Sequence, residues 1–352
     1  MTVRKPVLAV VGATGVVGQT LLSMLPTRPD VWGEVRLLAS GHSHGVTVRA
    51  LGQDVEVREI ESAAFEGVDV CILAVPASVA RTWAPIIAAQ GAAVIDNSGA
   101  HTANPAVPLV VPEINPHRAG GQGGRILASP SGTTLLMINT LATLHEGWHL
   151  REVVASTFQA VSDAGVRGVN RLYDEVAELV NNRQVGQSAG DVRRFLSDLE
   201  SESPFAAPIA FNVIPWVGGP GDGRWSSTEL RAREEVRTIL DTPDLRMATT
   251  CVQVPVVSTH SASLHLTFDR RLTRDDAVRA LTEGSNSVVV LDDPMRQEWP
   301  TPVDVVGTDP VFVGRVRQPA DFPRSLELFV CADNLRKGSA LNMLQIAELV
   351  AC

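Results

Sequence analysis

Three glycines between residues 12 and 18 stand at the spacing with which a backbone can grip a pyrophosphate: Gly12-Ala13-Thr14-Gly15-Val16-Val17-Gly18. Gly12 permits a tight turn, Gly15 lets the backbone approach phosphate oxygens, and Gly18 lets a helix pack closely on a strand. Free N–H groups at the helix start then attract the anion. Farther along, Ser129-Pro130-Ser131-Gly132-Thr133-Thr134-Leu135 sets small hydroxyls at the head of an apolar, helix-like run that reaches about His149. An anion on Ser131 or Thr133 would be stabilised there, but a hydroxyl nucleophile needs a strong base beside it. His42, His44 and His101 have no partner at metal-ligand spacing, so no metal is expected. Cys71, Cys251, Cys331 and Cys352 lack CxxC spacing and read as buried thiols rather than disulfides or zinc ligands.

The strand after the glycine turn ends Leu38-Ala39-Ser40-Gly41-His42-Ser43, without the Asp or Glu that accepts a ribose 2′-hydroxyl in NAD sites. Small hydroxyls at Ser40 and Ser43 suit a 2′-phosphate better, and NADP is the expected cofactor.

The elements that must carry these residues follow from periodicity. Val7 to Val11 is a branched apolar run suited to a strand buried on both faces. A helix from about Val16 to Leu25, a strand near Val35 to Ala39, strands at Val68 to Ala74 and Ala92 to Ile95, and a helix at Ser78 to Ala89 complete an alternating pattern. That pattern implies a Rossmann-type, doubly wound parallel sheet. The second half has another texture. Helices near Val166 to Asn182 and Thr228 to Leu240, with strands at Thr250 to Val256, Ser263 to Phe268 and Ser325 to Val330, suggest an α+β domain whose sheet has one face packed on helices. A last helix spans roughly Lys337 to Val350. The fold class expected is therefore α/β with two domains, in keeping with 352 residues and 45% apolar content. A net charge of −9 with no basic tract argues against a nucleic-acid partner. No apolar run of about 18 residues occurs, which argues against a membrane span. The N-terminus shows no signal-peptide pattern, so a cytoplasmic location is expected. Lys5 and Lys337 are the only lysines, against many arginines.

The chain resembles the aspartate-β-semialdehyde dehydrogenase family. Ser129-Pro130-Ser131-Gly132-Thr133-Thr134 stands where that family has Asn-Pro-x-Cys-Thr-Thr, and Ser156-Thr157-Phe158-Gln159-Ala160-Val161-Ser162-Asp163-Ala164-Gly165 where it has Ser-Thr-Tyr-Gln-Ala-Val-Ser-Gly-Ala-Gly. Val94 to Ser98, Val107 to Asn115, Phe211 to Pro215, Cys251 to Val256, Val311 to Arg315 and Ala332 to Gly338 continue the likeness in order. The resemblance implies a dinucleotide domain over 1–132, with the helix 333–352 packing back on it, and an α+β domain over 133–332 that forms a homodimer. It implies NADP held by Gly12, Thr14, Gly15, Val16, Val17, Gly18, Ser40, Ser43, Asn97 and Asn334. It implies that His260 transfers protons, that Gln159 stays in the catalytic group, and that Glu229 contacts the substrate's polar end.

Several positions depart from the family. Its nucleophilic cysteine maps to Gly132, its phosphate-binding arginine to Thr102, its carboxylate-clamping arginine to Gln253, and a lysine to Arg231. Thr102 and Gln253 cannot copy the bidentate grip of a guanidinium. These substitutions point first to an NADP-dependent oxidoreductase that has lost thioester chemistry and moves hydride directly on a different small substrate. A non-catalytic binding or regulatory paralogue and a conventional aspartate-semialdehyde dehydrogenase with an unrecognised nucleophile are the alternatives.

Overall fold

A computed structural model describes residues 4–28, 30–121, 124–197, 199 and 202–351; Cys352 lies outside them. The chain divides into two compact units. The first comprises residues 1–135, Glu235–Pro243 and Leu335–Cys352; the second comprises Leu136–Glu234 and Asp244–Asn334. The segment 235–243, which the sequence groups with the second domain, thus packs within the first, and Asp333 and Asn334 fall in the second.

The first unit is built on seven strands: β1 (Val7–Val11), β2 (Glu34–Ala39), β3 (Thr47–Ala50), β4 (Gln53–Glu59), β5 (Val70–Leu73), β6 (Ala93–Asp96) and β7 (Arg125–Ala128). Their order is β3-β4-β2-β1-β5-β6-β7, parallel throughout except for the β3–β4 hairpin. Strand β1 shows why a continuous apolar run was needed at the centre. Leu8 and Val10 join a cluster with the helices α1 (Val16–Met24) and α9 (Leu341–Ala351). Val7, Ala9 and Val11 join another with helix α2 (Ala77–Ala89). Both faces of the sheet are covered, which is what a parallel sheet requires. The expected single last helix opens instead as a π-turn, Arg336–Ala340, before α9 begins.

Six strands form the second unit's mixed sheet: β8 (Leu150–Gln159), β9 (Arg246–Gln253), β10 (His260–Phe268), β11 (Val288–Val290), β12 (Val311–Arg317) and β13 (Ser325–Ala332), in the order β11-β12-β13-β10-β8-β9. The sequence places β9 at Thr250 to Val256, but it runs earlier because Pro255 cannot donate to a ladder. Burial alternates along β8: Val153 and Ala155 are buried while Val154 is exposed. Phe158 and Phe329 stack on the open face, ring centroids 6.4 Å apart. The helices are α3 (Gly132–Trp148), α4 (Gly165–Leu179), α5 (Asp191–Phe195), α6 (Ser227–Leu240), α7 (Arg274–Glu283) and α8 (Pro302–Val305); the division between units falls inside α3 and α6. No helix among the described residues is long and apolar enough to cross a membrane.

Candidate functional site

In the first unit the glycine turn follows β1 directly. Gly12 has φ +85°, and a Cβ there would lie 2.2 Å from the Ala74 carbonyl oxygen. A Cβ on Gly18 would lie 2.2 Å from the Gly12 oxygen and 2.9 Å from Ala13 Cα. Side chains are therefore excluded at both ends of the turn. Gly15 caps α1 with extended backbone and no side-chain cap, leaving the first-turn N–H groups of Val16 and Val17 open to an oxyanion. This cradle fits a dinucleotide pyrophosphate. Beside it Thr14 Oγ1 lies 3.1 Å from Ser43 Oγ, while Ser40 and His42 are exposed. Asn97 donates from Nδ2 to Ser339 Oγ in the π-turn at 2.7 Å.

Gly132 is the first residue of α3. The helix head is held by a carboxylate that sequence reasoning missed. Glu235, 3% exposed, accepts from Ser131 N at 2.9 Å, Ser131 Oγ at 2.7 Å and Thr134 Oγ1 at 2.6 Å. Ser131 is partly exposed and its hydroxyl also accepts from Thr134 N, so it caps the helix while facing a base. Thr133 is buried. Thr102 donates from Oγ1 to the Gly99 carbonyl, and His101 Nδ1 lies 3.0 Å from the fully buried Asp96. Both belong to the turn after β6.

The second unit gathers Gln159, Asp163, Glu229, Arg231, Gln253 and His260. His260, 1% exposed, begins β10, and its Nδ1 accepts the Ala160 N–H at 3.1 Å. With Nδ1 accepting, the ring presents an N–H at Nε2, which has no hydrogen-bond partner and faces Asp163 Oδ1 at 3.7 Å. Partial desolvation pushes the Asp163 carboxyl up, but the His260 ring and the Arg231 charge outweigh it and hold the group below the usual carboxylate range. Gln253 and Cys251 share the inward face of β9, as strand alternation predicts. The Gln253 amide donates to the Gln159 carbonyl at 2.7 Å, and Gln159 Nε2 donates to Thr157 Oγ1 at 3.2 Å.

Glu229 is neither solvated nor open. It accepts Ser226 N at 2.8 Å and Cys251 N at 2.9 Å, while Ser226 Oγ accepts from Glu229 N. This is a capping box, and Ser226-Ser227-Thr228-Glu229 carries its sequence signature. Asn334 is likewise engaged: Oδ1 accepts Thr259 N at 2.8 Å and Nδ2 donates to Ser162 Oγ at 3.0 Å. Its amide fixes the loop before β10. Cys71, Cys251 and Cys331 are buried, and burial pushes the Cys251 and Cys331 thiols up to about 12, so none is primed as a thiolate.

Two family models match the chain: "Semialdehyde dehydrogenase, NAD binding domain" over residues 7–121 and "Semialdehyde dehydrogenase, dimerisation domain" over residues 141–337. The aspartate-semialdehyde dehydrogenase of Corynebacterium glutamicum is 39% identical, covering 97% of this chain and 98% of that one. The Bacillus subtilis enzyme of the same name is 36% identical, covering 97% and 96%. Among solved structures, aspartate semialdehyde dehydrogenase II of Vibrio cholerae, complexed with ASA, superposes with a TM-score of 0.89 at 31% identity, covering 99% of this chain and 98% of that one. An NAD-binding domain with a parallel sheet, a dimerisation-type domain with a mixed sheet, and relatives matched end to end lead to one assignment: the chain belongs to the semialdehyde dehydrogenase family.

Proposed function

We propose that the protein is a nicotinamide-dependent oxidoreductase of the aspartate-semialdehyde dehydrogenase type, with aspartate semialdehyde as its first candidate substrate. The observation that carries this reading is the end-to-end likeness to enzymes of that name, 97% of this chain at 36–39% identity. The Gly12–Gly18 turn would hold the pyrophosphate, with Thr14, Ser40 and Ser43 at the adenosine ribose favouring NADP, and Asn97 beyond. The bound cofactor would supply the hydride acceptor. His260 would present its Nε2 proton to the substrate oxygen, and the Gln159 amide would steady that corner. For a covalent route the geometry offers Ser131: its hydroxyl adds to the aldehyde carbon as Glu235, 2.7 Å away, takes the proton. Loss of hydride leaves an ester, which phosphate or water then cleaves, returning the proton to Ser131. The dimerisation-domain match and the open face of the second sheet support a homodimer.

A second reading rests on one observation: Gly132 offers no side chain at the head of α3. In it the aldehyde reacts as its hydrate. One hydroxyl proton would leave to water and the bound cofactor would supply the hydride acceptor, so that the product would be a carboxylic acid rather than an acyl phosphate. The substrate is then free to be another small aldehyde.

Turnover of aspartate semialdehyde with NADP, followed by nicotinamide absorbance with and without phosphate, separates the two. Phosphate-dependent turnover that disappears in Ser131→Ala, with an acyl adduct in the intact mass, supports the covalent route. Phosphate-independent turnover that yields the acid, survives in Ser131→Ala and leaves no acyl adduct supports direct transfer. NADPH binding without turnover of any aldehyde would refute both and leave the scaffold a binding role.

A further inference from the structure

We infer that Asp163 is an internal anion facing His260 within reach of the Arg231 charge, so that a ligand's oxyanion binds this part of the second unit only by displacing it. The inference concerns the half-site used in the proposed function, but it is testable without turnover. Four observations carry it.

The first is the His260 ring. With Nδ1 committed to the Ala160 N–H, the one ring proton sits on Nε2. That atom is buried, lacks a hydrogen-bond partner, and points at Asp163 across 3.7 Å. A 3.7 Å gap is too long for a hydrogen bond and leaves the donor available. A buried donor left in this state is costly unless something arrives to accept from it.

The second is the cation. Arg231 is the positive group whose field reaches the Asp163 carboxylate. A proton donor facing the carboxylate and a positive charge within reach of it are what a small oxyanion would also use. Here the chain supplies that anion itself.

The third is the rest of the polar set, none of which can take over as an anion clamp. Gln253 is neutral and committed to the Gln159 carbonyl. Glu229 is negative and tied to two backbone N–H groups. With Arg231 positive and Asp163 and Glu229 negative, the cluster already has more acid than base, so an added anion meets net repulsion.

The fourth is exposure. Asp163 sits in the single turn Val161–Ala164, and its side chain is 46% exposed, so it can swing to solvent without disturbing β8 or β10. The likeness that placed a family glycine at this position had no side chain there to compete.

The test titrates inorganic phosphate into the wild-type chain, Asp163→Asn, Asp163→Gly and Asp163→Asn/Arg231→Gln, following heat or the phosphorus resonance. Both single variants should bind phosphate about tenfold more tightly than wild type, since a like charge a few ångströms away is removed. Adding Arg231→Gln should cancel that gain. If neither single variant binds more tightly, or the gain survives Arg231→Gln, the inference is overturned. Asp163→Gly guards against an Asn side chain that merely fills the same space, and a thermal melt confirms that each variant is folded. A failure here leaves the aldehyde assay untouched, and a failed aldehyde assay leaves this result standing.

Discussion

The glycine turn and the His260 cluster solve recognition in opposite ways. The turn of the first unit contributes no charge: it prepares a cavity by forbidding side chains at Gly12 and Gly18 and by leaving helix N–H groups uncapped. The cluster of the second unit is crowded with charge, almost all of it already answered from within. Backbone-built sites are rigid and tolerate little change; side-chain sites can be retuned one residue at a time. The difference predicts where substitutions are severe and where they are informative.

The sharpest break should come at Gly18→Ala. The new methyl, 2.2 Å from a carbonyl oxygen, must push α1 from β1. We expect about 3 kcal/mol of destabilisation and about a hundredfold loss of NADPH affinity, read by chemical denaturation and fluorescence titration. Unchanged affinity would show that the turn does not hold the pyrophosphate. Next is Glu235→Ala, which strips three hydrogen bonds from the head of α3. A loss of about 3 kcal/mol in urea unfolding is expected, and Glu235→Gln should lose less. A neutral result would reduce Glu235 to a bystander.

A smaller effect concerns Lys337 and Glu113, 2.5 Å apart at the π-turn. Burial pushes the Glu113 carboxyl up, but the Lys337 charge and hydrogen bond outweigh it and hold the group low. A carboxyl lower when folded than when unfolded stabilises the protein above the unfolded value, about 4.3. That contribution is lost as pH falls through the folded value. In Lys337→Met the Lys337 charge and hydrogen bond are gone, and burial is opposed only by the Gln345 and backbone hydrogen bonds. The carboxyl moves up, and the gap in melting temperature from wild type should narrow between neutral pH and pH of about 3. A gap constant with pH would remove the pair from the acid response. Smallest is the expectation for thiols: Cys71, Cys251 and Cys331 should stay unlabelled by a thiol reagent until unfolding, as mapped by peptide mass.

The same contrast governs what could be read from the sequence. Strand β1 and the glycine turn were legible because local residues dictate them: branched apolar side chains fix the strand, and absent Cβ atoms fix the turn. The β3–β4 hairpin was not. Its strands are largely exposed, with apolar alternation confined to Val48, Ala50, Val55 and Val57, and Leu51, at φ +49°, stands beside Gly52 where Asn or Asp would have advertised the turn. The π-turn at Arg336–Ala340 left no signature because i→i+5 bonding follows from packing rather than residue type. Glu229 could have been read correctly from the Ser-x-x-Glu pattern of its own helix. Asp163 could not have been paired with His260 and Arg231 from spacing, since the three meet only through the fold. Gly132 was visible from the start, whereas Glu235, which holds the helix that Gly132 opens, lies on a helix far along the chain.

Burial of Lys337 has a practical corollary for a protein with two lysines. Its ammonium is sealed against Glu113, whereas Lys5, just ahead of β1, keeps about half of its side chain in solvent. Amine-directed dyes, biotin esters and surface-coupling chemistries would therefore find one accessible lysine among the described residues. It sits before β1, and the glycine turn follows that strand, so the tag would enter at the strand's opposite end from the cradle. Attachment at that lysine would leave the cradle clear for immobilised binding measurements on this chain.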